Sequence, residues 1–263
     1  MKEEKEFFVP YIEGSLGKST WKTIQRFAWA ALGTLVLAAF IFGLVQKQFK
    51  NGTFELGTET KIIGVYHESP YPMLKVQLGE NDFKNIVLLG FGKSSANPFL
   101  KEIRKQVPDL SGKTLSIEGN LIYYNGKTLI QITNEEKVRL VNGANASVSA
   151  AEPMGSMQFE GEIVDPKCYF GVMKPGLGKI HRSCAVLCIS GGIPPVLATT
   201  DENDIATYFL LTDKAGKPIN KEILPFIGKP SKIIGDVEKI GDWHILRIDV
   251  SDIVELNRKS AIY

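Results

Sequence analysis

The three cysteines of this 263-residue chain, Cys168, Cys184 and Cys188, share one short stretch with His181. Thiolate sulfur and imidazole nitrogen are the donors that soft and borderline metals prefer, and zinc or copper are the ions they suit. The order C-x12-H-x2-C-x3-C supplies a Cys3His set that a tetrahedral zinc accepts. Asp165, in V-D-P-K-C, adds a carboxylate that can ligate, orient His181, or begin a turn before Pro166. The same thiols have two other uses. Cys168 joined to Cys184 or Cys188 would close a loop of roughly 15 to 20 residues and stabilise it by about 3 kcal/mol, leaving one thiol over. A redox or catalytic thiol is the third use.

Two elements must position these side chains. Cys168 follows F-E-G-E-I-V, which reads as the end of a strand. Lys174-Pro175-Gly176-Leu177-Gly178 is a turn, and His181–Ile189 reads as a short helix stopped by Gly191-Gly192 and Pro194-Pro195. His181, Cys184 and Cys188 then stand at i, i+3 and i+7 on one stripe. Seven helical residues rise about 10.5 Å, near the limit that one ion can span. Either the helix begins after His181 or the four side chains do not all bind together.

Other chemistry finds no support. C-x-x-C-H is absent, which argues against covalent haem, and three cysteines do not hold an all-cysteine iron–sulfur cluster. Gly90-Phe91-Gly92-Lys93-Ser94-Ser95 lacks the spacing of a nucleotide-binding loop, so no nucleotide is expected. His67 and His244 are lone histidines at strand ends, read as packing or surface residues. No nucleophile–base constellation stands out, and a non-enzymatic role is favoured.

The surrounding chain reads as two related segments. The stretch from Ser111 aligns without a gap on that from Ile227, with Gly112/Gly228, Lys113/Lys229, Ile117/Ile233, Gly119/Gly235 and Ile132/Ile248 identical. Val87-Leu88-Leu89 matches Phe209-Leu210-Leu211, and Ile62-Ile63-Gly64 matches Phe159-Glu160-Gly161. In the first segment strands are predicted over 55–67, 74–78, 84–89, 114–123 and 127–133, with a helix over 98–106 and a hairpin turn at Asn125-Gly126. Three strands, a helix and two strands is the order of a five-stranded OB-type barrel. The expected fold class is therefore mainly β: a transmembrane helix followed by two OB-like barrels, over 51–141 and 157–258, joined by a polar linker over 142–156. From Gly64 to Val87 the chain runs 23 positions and from Gly161 to Phe209 it runs 48, so the second segment carries 25 extra residues. Every cysteine lies in that insertion, in a loop that OB barrels use for ligands.

The motif G-E-I-V-D-P-K-C followed by H-R-S-C-A-V-L-C-I-S-G-G-I-P-P-V-L resembles D-x-x-C, then H-x-x-C-A-x-x-C-I-x-x-G-x-P, of bacterial exported or membrane-anchored proteins. The resemblance covers about Met157 to Leu256. It implies an exported small β-barrel domain with Asp165, Cys168, His181, Cys184 and Cys188 grouped in one site, and it implies no particular reaction.

Phe27–Val45 carries no charge, and at helical rise it is roughly 28 Å long, about a bilayer core. It reads as a single transmembrane helix. Lys2, Lys5, Lys18, Lys22 and Arg26 before it tip the balance toward a cytoplasmic segment over 1–26, with the remainder periplasmic on an inner membrane. A net charge of +2 with mixed signs gives no footprint for nucleic acid. The expected partners are the membrane and other membrane or periplasmic protein subunits. The expected role is an accessory or binding subunit with a metal or redox site. A thiol- or metal-dependent oxidoreductase and a disulfide-stabilised interaction module are the alternatives.

Overall fold

The structure, a computed structural model, describes residues 18–46, 52–80, 82–142, 151–203 and 205–257. The chain forms two units, Met1–Phe49 and Lys50–Tyr263. Lys2, Lys5, Lys47, Lys50 and most of the expected linker lie outside the described residues.

The first unit is the helix α1 (Lys18–Val45), of 28 residues. It is long and apolar enough to cross a membrane. Its span of about 42 Å exceeds a hydrocarbon core. It begins before the uncharged run, adding Trp21, Lys22 and Arg26 to the helical frame. Phe27, Trp29, Leu35, Phe40 and Leu44 are exposed around it, an all-round apolar surface suited to lipid. Thr34 is tolerated there because its hydroxyl donates to the Ala30 carbonyl at 2.9 Å.

The second unit begins with β1 (Thr53–Phe54), β2 (Thr60–His67), β3 (Met73–Gln77) and β4 (Phe83–Gly90). A 3₁₀ turn (Asn97–Leu100) leads into α2 (Lys101–Gln106), followed by β5 (Thr114–Tyr124), β6 (Lys127–Ile132) and β7 (Val138–Leu140). β2, β3, β4, β6 and β5 pair in that order and β5 returns to β2, closing a five-stranded barrel. Only the β4–β6 pairing is parallel. That strand order with a helix after the third strand is the OB-type arrangement the sequence predicts. Asn125 and Gly126, with φ of 46° and 78°, make the tight hairpin between β5 and β6. Leu100 and Ile103 close the barrel's core against Leu110, Leu115 and Ile117.

The remainder comprises β8 (Glu152–Val164), α3 (Gly178–Ser190), β9 (Val196–Thr200), β10 (Ala206–Asp213), β11 (Pro230–Ile240), β12 (Trp243–Ile248) and β13 (Val254–Glu255). β8 starts inside the expected linker. The closed path β8-β9-β10-β12-β11, again with one parallel pairing, repeats the strand order of the first barrel. Aligned residues take the same register: Gly119 faces Ile132 as Gly235 faces Ile248, and Gly64 faces Leu115 as Gly161 faces Ser231. The third strands differ by one place. Val87 pairs with Leu129, and the residue paired with the equivalent Ile245 is Leu210, not Phe209. By register the insertion is thus one residue longer than the sequence alignment implies. Between β10 and β11 the described residues hold only a 3₁₀ turn (Leu224–Phe226), and Ala185 and Ile189 of α3 pack with Ile219 and Ile223 in this barrel's core.

The barrels share a third core. Tyr71, Met73, Val87, Leu89, Ile122 and Leu129 of the first pack with Val164, Phe170, Tyr208 and Trp243 of the second. Phe170 lies 4.9 Å from Tyr208 and 6.3 Å from Trp243 between ring centroids, and Tyr124 of the first barrel is 6.2 Å from Phe170. Hydrogen bonds also cross this seam. Tyr71 Oη donates to the Leu211 carbonyl at 2.6 Å and Trp243 Nε1 to that of Asn85 at 2.9 Å. Asn85 donates back from its backbone to Asp242 Oδ1 and from Nδ2 to the Ile240 carbonyl.

Because one core serves both barrels, they are expected to unfold together. Phe170→Ala should destabilise the pair by about 3–5 kcal/mol. Trp243 is the only tryptophan outside α1, so urea unfolding followed by its fluorescence, beside hydrogen exchange at Leu115 and Leu129, checks both points. Separate transitions for the two barrels would contradict the shared core.

Candidate metal centre

The site is assembled where β8 ends and α3 begins. β8 delivers Glu162, Ile163 and Val164 into the interior, and at Asp165-Pro166 the chain turns. Asp165 Oδ1 accepts from the backbone N–H of Lys167 at 2.9 Å and of Cys168 at 3.4 Å, an Asx-type turn of the kind the sequence suggests. A single π-helical turn follows over Cys168–Val172, with the Met173 N–H reaching back to the Cys168 carbonyl at 3.2 Å. This geometry recurs at functional sites. It directs Tyr169 and Phe170 into the seam between the barrels and so fixes Cys168.

α3 supplies the other donors. At its first residue the Gly178 N–H donates to the buried Glu162 carboxyl group, which satisfies one of the open donors at the start of the helix. At its other end Asn220 Nδ2 donates to the carbonyls of Ile189 at 2.9 Å and Ile193 at 2.8 Å. Both ends are therefore tied to barrel residues. His181 already lies within the helix, so the version in which the helix starts after it does not hold.

All five predicted residues converge, in two sets. The donor atoms of Cys168, Cys184 and Cys188 lie within 4.8 Å of one another, and so do those of Asp165, Cys168 and His181. Either set could hold a metal ion. All three cysteines are free thiols. His181 Nε2 stands 3.9 Å from Asp165 Oδ2, too far for a hydrogen bond, and both atoms are buried without a hydrogen-bond partner. Two such atoms cost about 1–3 kcal/mol each.

The Cys168 and Cys184 thiols are held protonated. A hydrogen bond with Cys188, then burial and the neighbouring Asp165 charge, push the Cys168 thiol well above its ordinary range. Burial raises Cys184 as well. A thiol so disposed is a poor nucleophile, whereas a metal ion deprotonates it on binding.

Lys167 and the β4 loop also belong to the site, and the motif alone did not single them out. The buried Lys167 Nζ donates to the carbonyls of Gly90 at 2.9 Å and Gly92 at 2.6 Å. Burial lowers its pKa while Asp165 opposes the fall. The Ser95 N–H donates to the Gly191 carbonyl at 3.0 Å. A Cβ at Gly191 would collide with the Lys93 carbonyl oxygen, so the helix stop is also a contact with the first barrel. The Gly90–Ser95 loop thus embraces the cysteine site through its backbone. The available signal was a lysine set directly beside Cys168. His67 is buried, and His244 packs 5.5 Å from the Phe209 ring; neither joins the cluster.

No family model matches this sequence, and no curated protein matches it. Among solved structures the chain is similar to the single-stranded DNA-binding protein from Thermus aquaticus. A deletion mutant of that protein is 12% identical, with 80% of this chain and 98% of that chain covered and a TM-score of 0.21. The wild-type protein is 14% identical, with 80% and 96% covered and a TM-score of 0.20. Likeness at that level carries no argument about what this chain binds.

Zinc binding should depend steeply on pH. Cys168 and Cys184 must each lose a proton on binding, so below the thiol range the apparent association constant should rise on the order of 100-fold per pH unit. Calorimetric titration of the reduced protein with zinc, in buffers of different ionisation enthalpy, should count at least two protons released. A pH-independent affinity would show that these thiols are not ligands.

Proposed function

We propose that this chain is a membrane-anchored, extracytoplasmic metal-binding protein, acting as an accessory subunit of a membrane-associated assembly. The observation that carries the metal reading is the convergence of three thiols, a carboxylate and an imidazole in the interior. Asp165 is 0% exposed, Cys188 2%, His181 3% and Cys168 4%. A buried carboxylate oxygen and a buried imidazole nitrogen with no partner, beside thiols, are a polar debt that a zinc or copper ion discharges.

The anchoring reading is supported by α1, whose apolar surface is exposed among the described residues, and by the basic residues before its uncharged run. The accessory reading is supported by the enclosure of the site. Cys184 alone of the five has appreciable solvent contact, which suits holding an ion better than turning over a substrate. The aromatic residues Tyr124, Tyr169, Phe170, Tyr208 and Trp243 pack against one another in the seam rather than offering a face on which nucleic-acid bases would stack.

Full-length protein purified in detergent should contain zinc or copper at one or more equivalents per chain. Cys184→Ser should lower that content while preserving the fold, because this side chain is only partly buried. Elemental analysis finding no metal, with a Cys168 disulfide in the peptide map, would defeat the proposal. A Cys184→Ser protein less stable but unchanged in metal content would favour a structural thiol instead. For topology, alkaline phosphatase fused to the C-terminus should be active and green fluorescent protein at the same place dark; the reverse would place the barrels in the cytoplasm.

A further inference from the structure

We infer that the cluster is built for two divalent metal ions that share the Cys168 thiolate, one held by Cys168, Cys184 and Cys188, the other by Asp165, Cys168 and His181. The inference rests on the metal-binding reading above and refines it.

The two donor sets overlap in Cys168 alone, and the helix explains why. His181 and Cys188 are both within α3, seven residues and about 10.5 Å apart along its axis. One ion with bonds of about 2.0–2.3 Å reaches donors no more than roughly 4.6 Å apart. Cys168 lies between the two ends of this stripe and within reach of both. A thiolate sulfur has lone pairs enough for two ions, and two ions joined through it bridge the stripe that one cannot.

Charge leads to the same arrangement. With its thiols deprotonated the cluster carries one carboxylate and three thiolates, a charge of −4. One divalent ion leaves −2 in the interior and two leave zero. Lys167 is already engaged with the Gly90 and Gly92 carbonyls and offsets one charge at most. An ion confined to the three sulfurs would also leave Asp165 Oδ2 and His181 Nε2 as they stand, buried and without partners. Those two atoms face each other across 3.9 Å, slightly wider than the roughly 3.3 Å that nitrogen and oxygen keep on a tetrahedral zinc. Loading is an acid–base step without electron transfer. Each thiol gives its proton to the solvent, its sulfur lone pairs form the metal bonds, and His181 binds through the neutral Nε2 lone pair.

Cobalt(II) is the probe, added to reduced full-length protein in detergent micelles, with native mass spectrometry for the count and optical and spin-resonance spectra for the ligands. The wild type should take two equivalents. Its sulfur-to-cobalt absorption should be intense, and its high-spin resonance weaker than that of two isolated ions, because a bridging thiolate couples their spins. His181→Ala should bind one cobalt with an uncoupled signal, and Trp243 fluorescence confirms that it is folded; His181→Gln serves if the alanine variant is not. A wild type that takes only one cobalt overturns the two-ion inference and leaves the metal-binding reading standing. Two cobalts without coupling, or two retained in Cys168→Ser, overturn the shared thiolate. No binding at all overturns both readings.

Discussion

The structure depends on one wedge of chain, the turn from Asp165 to Val172, forced between two barrels by its own aromatic side chains. Tyr169 and Phe170 enter a core that also holds Met73, Leu89 and Leu129 of one barrel and Tyr208 and Trp243 of the other. Rings of this size bury 150–250 Å² each and dominate the energetics of any interface they join. Their burial decides where the residues beside them go. Cys168 is carried into the interior because Tyr169 and Phe170 follow it, and Lys167 is carried under the β4 loop because Cys168 follows it.

That burial brings polar and charged groups inside that would not enter on their own account. Asp165, Lys167, Glu162 and His181 are all buried within one small region. Each of the first three is answered by backbone: Asp165 Oδ1 by two N–H groups, Lys167 by two carbonyls, Glu162 by the start of α3. Backbone partners cannot swing away as side chains do, so the compensation also fixes geometry. Removing one member of such a set leaves its partner charged in low dielectric, which costs far more than the contact itself contributes. The atoms left over, Asp165 Oδ2, His181 Nε2 and the thiols, are the groups that can take a ligand. The backbone holds Asp165, Lys167 and Glu162 in place around the site, while Asp165 Oδ2 and His181 Nε2 keep no hydrogen-bond partner.

Much of this was legible in the chain. The strand order of the first barrel follows from alternation, Asn125-Gly126 and Pro98, since these are local signals. The second barrel follows by comparison, because a glycine such as Gly119 or Gly235 sits where its neighbour strand's backbone comes too close for a Cβ. The i, i+3, i+7 spacing left two outcomes open, a helix that begins after His181 or four donors that do not all bind together, and the start of α3 at Gly178 removes the first. The shared core was not legible. Tyr124, Tyr169, Tyr208 and Trp243 look like ordinary strand and loop aromatics, and nothing local says that they gather in one core. For the same reason the Gly90–Ser95 loop gave no warning: a carbonyl has no sequence signature.

The two barrels solve one packing problem differently, and the difference bears on the site. In the first, Leu100 and Ile103, from the 3₁₀ turn and α2 between β4 and β5, enter the barrel core. In the second the corresponding stretch holds only a 3₁₀ turn, and α3, from the enlarged β8–β9 connection, contributes Ala185 and Ile189 instead. Those residues alternate with Cys184 and Cys188 along the same helix, so one face packs the barrel and the adjacent face presents thiols to the seam. The ligand-bearing helix is a structural member of its barrel rather than a loop laid upon it. Whatever the thiols bind is therefore linked to folding: an ion that holds Cys168 against α3 also holds the turn against the helix, and its binding free energy adds to the stability of both barrels through their common core.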